Sequence, residues 1–299
     1  MSTPARVPSW QADLALTIIA VIWGCTFVVV KNALGGASTM LFLTLRFTIA
    51  AAALAVIYRG HVTSVSPSSS RTLRGGLLAG LFLIVSYFLQ TQGLRFTTAS
   101  KSAFITGLCA VLVPLLSALV YRKMPGGAEI LGVLTATAGM ALLTIRWDNL
   151  KLEFGDALTL GCAFGFAAHI IVVGHYGRDG GYELLSLTQI AVAAALGWAS
   201  FRWIEIPRLI WSPGLVTALL VTGLLATALA FTVMAWAQQH TTATHTALIF
   251  SLEPVAACVT AWLVDGETLS PAGIVGALLI LGGILLVELK PFGVRPHPS

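Results

Sequence analysis

Ten apolar stretches follow one another along the chain, and only short polar segments separate them. A helix needs about 20 mostly apolar residues to cross the roughly 30 Å hydrocarbon core of a bilayer. Each stretch is close to that length, and 57% of the 299 residues are hydrophobic while 10% are charged. The sequence therefore predicts an all-α integral membrane protein with ten transmembrane helices, at residues 14–33, 38–58, 73–94, 98–121, 127–145, 155–176, 182–201, 211–236, 242–264 and 271–288.

A short segment recurs 144 residues further along the chain. Residues 97–103 read TTASKSA, and residues 241–247 read TTATHTA. Offsets of 143 or 144 also align positions elsewhere in both halves, so the duplication covers most of the chain. The aligned pairs include Asp13 with Asp156, Arg46 with Gln189, Gly132 with Gly276, and Gly139 with Gly283.

The duplication divides the chain into residues 1–146 and residues 147–299, which form one membrane unit with five predicted helices in each half. Because five is an odd number, the second copy must enter the membrane from the opposite side, which makes the repeats inverted. Inverted repeats around a central cavity are typical of secondary transporters, in which one copy rocks against the other around a substrate near the midplane. A channel or a membrane-embedded enzyme could share this symmetry.

The distribution of positive charge predicts the topology. The net charge of +5 comes from basic residues scattered among short loops, unlike the basic face of a nucleic-acid-binding protein. With the N-terminus inside, nine basic residues fall on the cytoplasmic side and six on the other, so the positive-inside rule places both termini in the cytoplasm. The nine are Arg6, Arg59, Arg71, Arg74, Arg122, Lys123, Arg178, Lys290 and Arg295, and the six are Lys31, Arg95, Arg146, Lys151, Arg202 and Arg208.

No signature of catalysis or of a bound cofactor is present in the sequence. No P-loop occurs, and no motif for a catalytic nucleophile. We therefore predict a protein that is not an enzyme, binds no cofactor and takes its energy from an ion gradient. No metal site or disulfide is indicated either, because the cysteines form no C-x-x-C pair and all lie within predicted spans. They are Cys25, Cys109, Cys162 and Cys258.

Glu253 lies near the middle of its predicted span, where a charged side chain costs about 2.5–3.5 kcal/mol even on the insertion scale. Pro254 follows it, and Pro114 lies in the fourth span. Each proline removes a helical hydrogen bond, so we expect a kink at both. Glu253 either carries protons or binds a substrate ammonium group, or it is a structural carboxylate that caps freed amides or pairs with Arg46. The sequence leaves both roles open.

His245 lies eight residues before Glu253 and therefore on the same helix face, where a proton step between them is geometrically possible. His245 is also the repeat counterpart of Lys101, and inversion places these two residues near opposite mouths of one pathway. A cation at each mouth can attract a substrate carboxylate. The simpler interpretation is that both side chains extend to the membrane interface.

Aromatic and polar side chains predict the wall of a central cavity. Trp23 and Thr26 share a face of the first span, and an offset of 143 maps them onto Phe166 and His169. This pattern suits an amphipathic solute, although aromatic residues at helical spacing also pack within protein cores. The other candidate pathway residues are Tyr87, Gln90 and Thr91 in the third span, which can bond a ligand or a neighbouring helix, together with Trp236 and Ser251.

Five short motifs occur in order along the chain: Trp23-Gly24, Leu45-Arg46-Phe47, TTAS at 97–100, SLEPV at 251–255, and Gly266-Glu267. In this order, with ten predicted spans and a duplication, they resemble the EamA family of the drug/metabolite transporter superfamily. The resemblance covers nearly the whole chain. The sequence departs from the family pattern at the end of the fourth span, where Arg122-Lys123 replace an expected Gly-Glu pair.

The resemblance implies a carrier in the bacterial inner membrane, commonly an exporter of amino acids or related small metabolites, with ten helices around a central cavity. Bacterial aromatic amino-acid exporters match this length and pattern. The implied partners are a small-molecule substrate and the lipid bilayer, without nucleic acid, and the oligomeric state stays open, a monomer included. The alternatives are a broad-specificity drug exporter and, from other classes, a membrane-embedded enzyme or an assembly factor.

Overall fold

The computed structural model describes residues 9–59, 67–122, 124–144, 153–177, 181–266 and 270–288. Within these ranges the regular elements are helical, apart from an isolated β-bridge between Ala37 and Leu209. A π-helical segment, Val221–Leu229, precedes α10, and a 3₁₀ turn, Phe250–Leu252, precedes α12. The α-helices are α1 (Ser9–Ala33), α2 (Thr39–Tyr58), α3 (Pro67–Gly93), α4 (Ala99–Gly107), α5 (Cys109–Tyr121), α6 (Gly127–Thr144), α7 (Phe154–Tyr176), α8 (Tyr182–Ile204), α9 (Pro213–Leu220), α10 (Ala230–Ala237), α11 (Ala243–Ile249), α12 (Glu253–Asp265) and α13 (Pro271–Glu288).

Eight segments of the described residues are long and apolar enough to cross a membrane, so the chain is a multi-pass membrane protein. Three of the eight join several helical pieces: α4 with α5, α9 through the π-helical segment to α10, and α11 through the 3₁₀ turn to α12. The other two predicted spans are α6 and α13, apolar helices of 18 residues each. The prediction of an all-α membrane protein is confirmed, and eight of the ten predicted spans have full crossing length.

Some predicted boundaries differ from the observed ones. The helices α1 and α3 begin at residues 9 and 67, earlier than the predicted 14 and 73. Their first turns are helical but polar, so a prediction from hydropathy leaves these turns out. Several predicted features lie outside the described residues: the end of the fifth span at 145, the repeat boundary at 146, the motif residues Lys123 and Glu267, and the basic residues Arg6, Arg146, Lys151, Arg178, Lys290 and Arg295.

The fourth and ninth spans are interrupted at equivalent places. Leu108 separates α4 from α5, and its N–H donates to the carbonyl of Ile105 in a 3₁₀-like turn. Leu252, which is 144 residues later, ends the 3₁₀ turn before α12. Pro254 follows in the first turn of α12, where its missing N–H costs no helical hydrogen bond.

The kink predicted at Pro114 stays a prediction, and the interruption of this span lies elsewhere. Pro114 lies inside α5, and the interruption falls six residues earlier, at Leu108. At this point the two interrupted spans cross, since a Cβ added to Gly107 would lie 3.4 Å from the ring of Pro254 and 2.7 Å from the sulfur of Met140. The break therefore lies where the two spans cross.

Equivalent glycines bring α6 and α13 into backbone contact. Gly132 lies against Gly283, and Gly139 lies against Gly276; Cβ atoms added to these residues would come within 2.5–2.7 Å of the opposite carbonyl oxygen. The contacts run in opposite directions along the two helices, which are therefore antiparallel. The glycines of each helix are seven residues apart, close to two helical turns, and so lie on one face.

We predict that Gly276→Ala destabilises the protein whereas Gly282→Ala on the same helix does not. A Cβ at Gly276 meets backbone atoms of Gly139 and Leu143 at 2.5–2.6 Å, so α6 and α13 must separate, at a cost of about 1–3 kcal/mol. A Cβ at Gly282 meets nothing within 4 Å, and alanine favours the helix there by up to about 1 kcal/mol. Thermal unfolding in detergent measures both; equal shifts would contradict the close contact.

Candidate functional site

A cavity lies among the helices of both halves. Nine of the residues predicted for the pathway line it, so several predicted positions are brought together in one place. They are Trp23, Thr26, Arg46, Tyr87, Gln90, Thr91, Phe166, His169 and Glu253. The sequence analysis did not single out the remaining lining residues, which are mostly apolar: Phe27, Val30, Leu94, Thr106, Cys109, Ile170, Phe231, Met234 and Phe250.

The cavity wall follows the internal repeat but differs in chemistry between the halves. Seven pairs of lining residues are 143 or 144 positions apart, so equivalent helix faces form both sides. Three positions are polar in the first half and apolar in the second, and the repeat counterpart of Glu253 is a cysteine. The pairs are Trp23 and Phe166, Thr26 and His169, Phe27 and Ile170, Tyr87 and Phe231, Gln90 and Met234, Thr106 and Phe250, and Cys109 and Glu253.

The Arg46 side chain is buried, with 2% of its surface exposed. Its Nε donates to the hydroxyl of Thr227 at 2.7 Å, and its Nη2 donates to the Tyr87 hydroxyl at 3.1 Å and to the carbonyl of Ala226 at 3.2 Å. The guanidinium carbon also lies 4.3 Å from the centre of the Tyr87 ring, within cation–π range. Uncharged groups of two helical elements, the π-helical segment and α3, therefore hold this cation in one orientation.

The π-helical segment supplies the acceptors that hold Arg46. The carbonyl of Ala226 accepts from Arg46 and, at 2.8 Å, from the indole N–H of Trp23. The hydroxyl of Thr227 donates to the carbonyl of Thr222, five residues earlier, while it accepts from Arg46. Because π-helical turns leave carbonyls displaced from the regular ladder, they occur often at functional sites. Thr227 was not among the predicted site residues. Its spacing of five residues from Thr222, to which it bonds, is the sequence feature that fits a π turn.

Glu253 begins α12 and lines the cavity with 7% of its surface exposed. Its carboxyl makes no hydrogen bond or ion pair with any residue that the structure describes. The interaction with Arg46 that the sequence analysis considered is absent there, because the Arg46 bonds go to neutral oxygens. Glu253 is therefore a carboxyl group placed in a cavity without a fixed partner among the described residues.

His169 is the other buried ionisable residue on the cavity wall that the sequence analysis singled out. Its Nε2 is hydrogen-bonded to Oε1 of Gln189 at 2.7 Å, and its ring meets the edge of Phe231 at a centroid distance of 5.4 Å. Gln189, fully buried, is the repeat counterpart of Arg46. On the facing side, the Gln90 amide donates to the Thr106 hydroxyl at 3.1 Å.

Lys101 and His245 lie away from the cavity lining and join the two halves. Lys101 Nζ is 2.5 Å from Asp156 Oδ2, and His245 Nε2 is 3.1 Å from Asp13 Oδ1. The two pairs are counterparts in the repeat, since Asp13 aligns with Asp156 and Lys101 with His245. These aspartates were aligned in the repeat without a predicted role. Instead of side chains that extend to the membrane interface, the structure has Lys101 paired with Asp156 and His245 in contact with Asp13.

The repeated TTASK and TTATH segments begin the helices that carry these two ion pairs. Thr98 and Thr242 are the N-cap residues of α4 and α11, and each side-chain oxygen accepts from a backbone N–H at 3.1 Å, that of Lys101 or of His245. The feature that reveals the duplication is therefore a pair of helix caps. These caps fix the residue at which each helix begins, and thereby the positions of Lys101 and His245.

The other predicted positions also lie outside the cavity lining. Trp236 contacts His240 edge-on at a centroid distance of 5.2 Å. Ser251 lies fully buried in the 3₁₀ turn, and its hydroxyl has no partner among the described residues. Pro114 and Pro254 are buried in the interrupted spans. No group of His, Cys, Asp and Glu side chains in the described residues is arranged to hold a metal ion.

A multi-pass helical bundle around a cavity with both polar and apolar lining residues is the architecture of a membrane transporter. A family model described as the EamA-like transporter family matches this chain twice, over residues 10–145 and residues 153–289. The chain belongs to the EamA-like transporter family, which confirms the resemblance seen in its motifs. The two matches fall one in each half and together cover nearly the whole chain.

Relatives along the full length carry the same kind of name. An uncharacterized transporter of Archaeoglobus fulgidus is 33% identical over 279 residues, covering 93% of this chain and 86% of that protein. The uncharacterized transporter YvbV of Bacillus subtilis is 23% identical and covers 95% of this chain and 94% of its own. These names indicate a transporter rather than an enzyme. A crystal structure with a TM-score of 0.76 and 19% identity, covering 94% of this chain and 97% of its own, shows the shared fold.

We predict that His169 and Gln189 are energetically coupled. His169→Leu or Gln189→Leu alone leaves a buried polar group without its partner, which costs about 1–3 kcal/mol. The double variant removes both groups, so its loss should be smaller than the sum of the single losses, with a coupling of about 0.5–3 kcal/mol. Unfolding in detergent measures the cycle. Strict additivity would mean that the 2.7 Å contact contributes nothing.

Proposed function

We propose that the protein is a secondary transporter that exports small metabolites, amino acids in the first place, across the bacterial inner membrane by alternating access. The observation that carries this proposal is the cavity formed by equivalent faces of the two halves, with the unpartnered carboxyl of Glu253 on its wall. Membership of a transporter family supports it. The distribution of Lys and Arg supports cytoplasmic termini.

The two halves are inverted copies in this proposal. Each half has its own family match and five predicted spans. The last helices of the two halves, α6 and α13, are counterparts, and their glycine contacts run antiparallel: Gly132 meets Gly283 while Gly139 meets Gly276. Equivalent helices that run in opposite directions are what two copies inserted from opposite sides require.

The ion pairs between the halves are the gates of the alternating-access cycle. In an inverted arrangement, the counterpart pairs Lys101–Asp156 and His245–Asp13 lie toward opposite membrane faces, the second on the cytoplasmic side. Each pair holds one residue from each copy, so rocking the copies apart at one end breaks one pair while the other stays closed. This explains why the cationic residues lie outside the cavity lining.

Glu253 is the proton carrier in this mechanism. A charged carboxylate at this depth is costly, and Glu253 has no fixed partner among the described residues, so a proton or a substrate cation must balance it. A proton that enters from outside and a solute that leaves can then use the same carboxyl in turn. The aromatic rings of the lining, among them Trp23 and Phe231, equally favour a second candidate, a broad-specificity drug exporter.

Transport by reconstituted protein tests the proposal. In liposomes with a panel of labelled amino acids and drugs, we expect saturable uptake of at least one amino acid, accelerated by a pH gradient. Glu253→Gln should lose the acceleration by the gradient, a drop of about tenfold or more, while exchange of solute at equal pH persists, because the cavity remains but its titrating group is gone.

The matched control is Glu129→Gln, which alters a carboxyl in the first turn of α6, outside the cavity lining. It should transport like the wild type. Absence of saturable flux for every solute would contradict the carrier itself. Unchanged dependence on the gradient in Glu253→Gln would remove Glu253 from coupling, and uptake of drugs without amino acids would favour the second candidate.

A further inference from the structure

Arg46 has hydrogen-bonding capacity that the described residues leave unused. A guanidinium carries five N–H donors, one on Nε and two on each terminal nitrogen. In this structure Nε bonds Thr227, and Nη2 bonds both Tyr87 and the Ala226 carbonyl. Nη1 donates to no described residue, although Arg46 is 2% exposed and lines the cavity. Two strong donors are therefore available to a molecule inside the cavity.

The charge of Arg46 is also uncompensated by direct contact. Its three acceptors are two hydroxyl oxygens and a backbone carbonyl, none of which is an anion. Arginine does not lose its proton in proteins, so burial cannot be relieved by neutralisation. A buried charge is tolerated when an opposite charge and further hydrogen bonds accompany it. Among the described residues, Arg46 therefore has no anion as a hydrogen-bond partner.

Arg46 is positioned before any ligand arrives. Thr227 and Ala226 belong to the π-helical segment, and Tyr87 belongs to α3, so partners on two sides fix the guanidinium. Trp23 bonds the same Ala226 carbonyl and thereby ties the aromatic wall to the cation. A donor held in one orientation loses little entropy when it binds, which strengthens recognition.

We propose that Arg46 is the anchor for the carboxylate of the transported solute, which binds through Nη1. This inference rests on the proposed transport function and names the chemical class of the solute: a small carboxylate with an apolar body. The apolar body lies against the aromatic rings beside Arg46. The ring centroids of Trp23 and Phe231 are 5.1 Å apart, and those of Tyr87 and Phe166 are 5.0 Å apart. An amino acid adds an ammonium group, for which Glu253 is the acidic partner on the cavity wall.

The anchor makes the carboxylate an obligatory feature and separates amino acids from cationic drugs. At the repeat position of Arg46 the second half has Gln189, which bonds His169 and brings no charge. The cation therefore acts from one side of the cavity, and a solute lacking an anion leaves it unbalanced. A neutral carboxamide offers similar shape and hydrogen bonds without the charge, so it isolates the contribution of the ion pair.

Binding of L-phenylalanine and L-leucine, each compared with its carboxamide, tests the anchor in detergent-solubilised full-length protein. Wild type should prefer the carboxylate by about tenfold or more, as expected for a charge-assisted hydrogen bond. Arg46→Gln should bring the ratio close to one and leave carboxamide affinity nearly unchanged. The control Arg208→Gln makes the same change at an exposed residue outside the cavity lining and should keep the preference.

Thr227→Val provides a second variant that keeps the charge of Arg46 but removes the acceptor for its Nε. It should reduce the carboxylate preference by about threefold to tenfold without abolishing it, because the cation remains but is less well oriented. Equal binding of carboxylate and carboxamide by the wild type overturns the anchor, even if Arg46→Gln fails to fold. Absence of binding by all four compounds, with no saturable flux in liposomes, contradicts the transport proposal instead.

Discussion

A polar group inside a bilayer has no water to bind, so it must find a partner within the protein, and this constraint organises the whole molecule. The backbone meets it through helices, including the interrupted ones. Most buried side chains meet it through bonds such as His169 with Gln189 or Lys101 with Asp156. Some buried hydroxyls, that of Ser251 among them, have no partner in the described residues, and the Glu253 carboxyl and the Nη1 of Arg46, which also have none there, line the same cavity. In the proposed function, Glu253 and Arg46 mark the place left for a solute.

Duplication explains the shape of the cavity, and divergence between the copies explains its chemistry. Equivalent faces give two similar walls, yet the repeat counterpart of Tyr87 is the apolar Phe231, and that of Glu253 is Cys109. The π-helical segment occurs in the second half, and its counterpart in the first half lies within the regular helix α3. This local irregularity holds Arg46 from the first half. Two related copies therefore carry an asymmetric site, and in the proposed mechanism this asymmetry allows proton and solute to be treated differently.

Hydropathy and the repeat offset predict much of this protein, because spanning length and side-chain face depend on composition and helical period alone. They lead to the spans and to the faces of Trp23 and Phe166, whose roles in transport remain predictions. The family follows only when the five short motifs are added. The break at Leu108 was not predicted, because it lies at a crossing with a distant span, which the local sequence does not reveal. The partners of Arg46 and Lys101 were missed because the π turn and the contacts between halves leave no periodic signal.

Distances across the two ends of the molecule test the central claim of alternating access most directly. In a chain with its four cysteines replaced by alanine, spin labels would be attached through Trp10→Cys with Thr244→Cys at one end, and through Ser100→Cys with Phe154→Cys at the other; the two pairs are counterparts at an offset of 144. Double electron–electron resonance in liposomes, with and without L-phenylalanine and a pH gradient, should show the two distances changing in opposite directions. Ends that lengthen together, or that never change, would contradict the account.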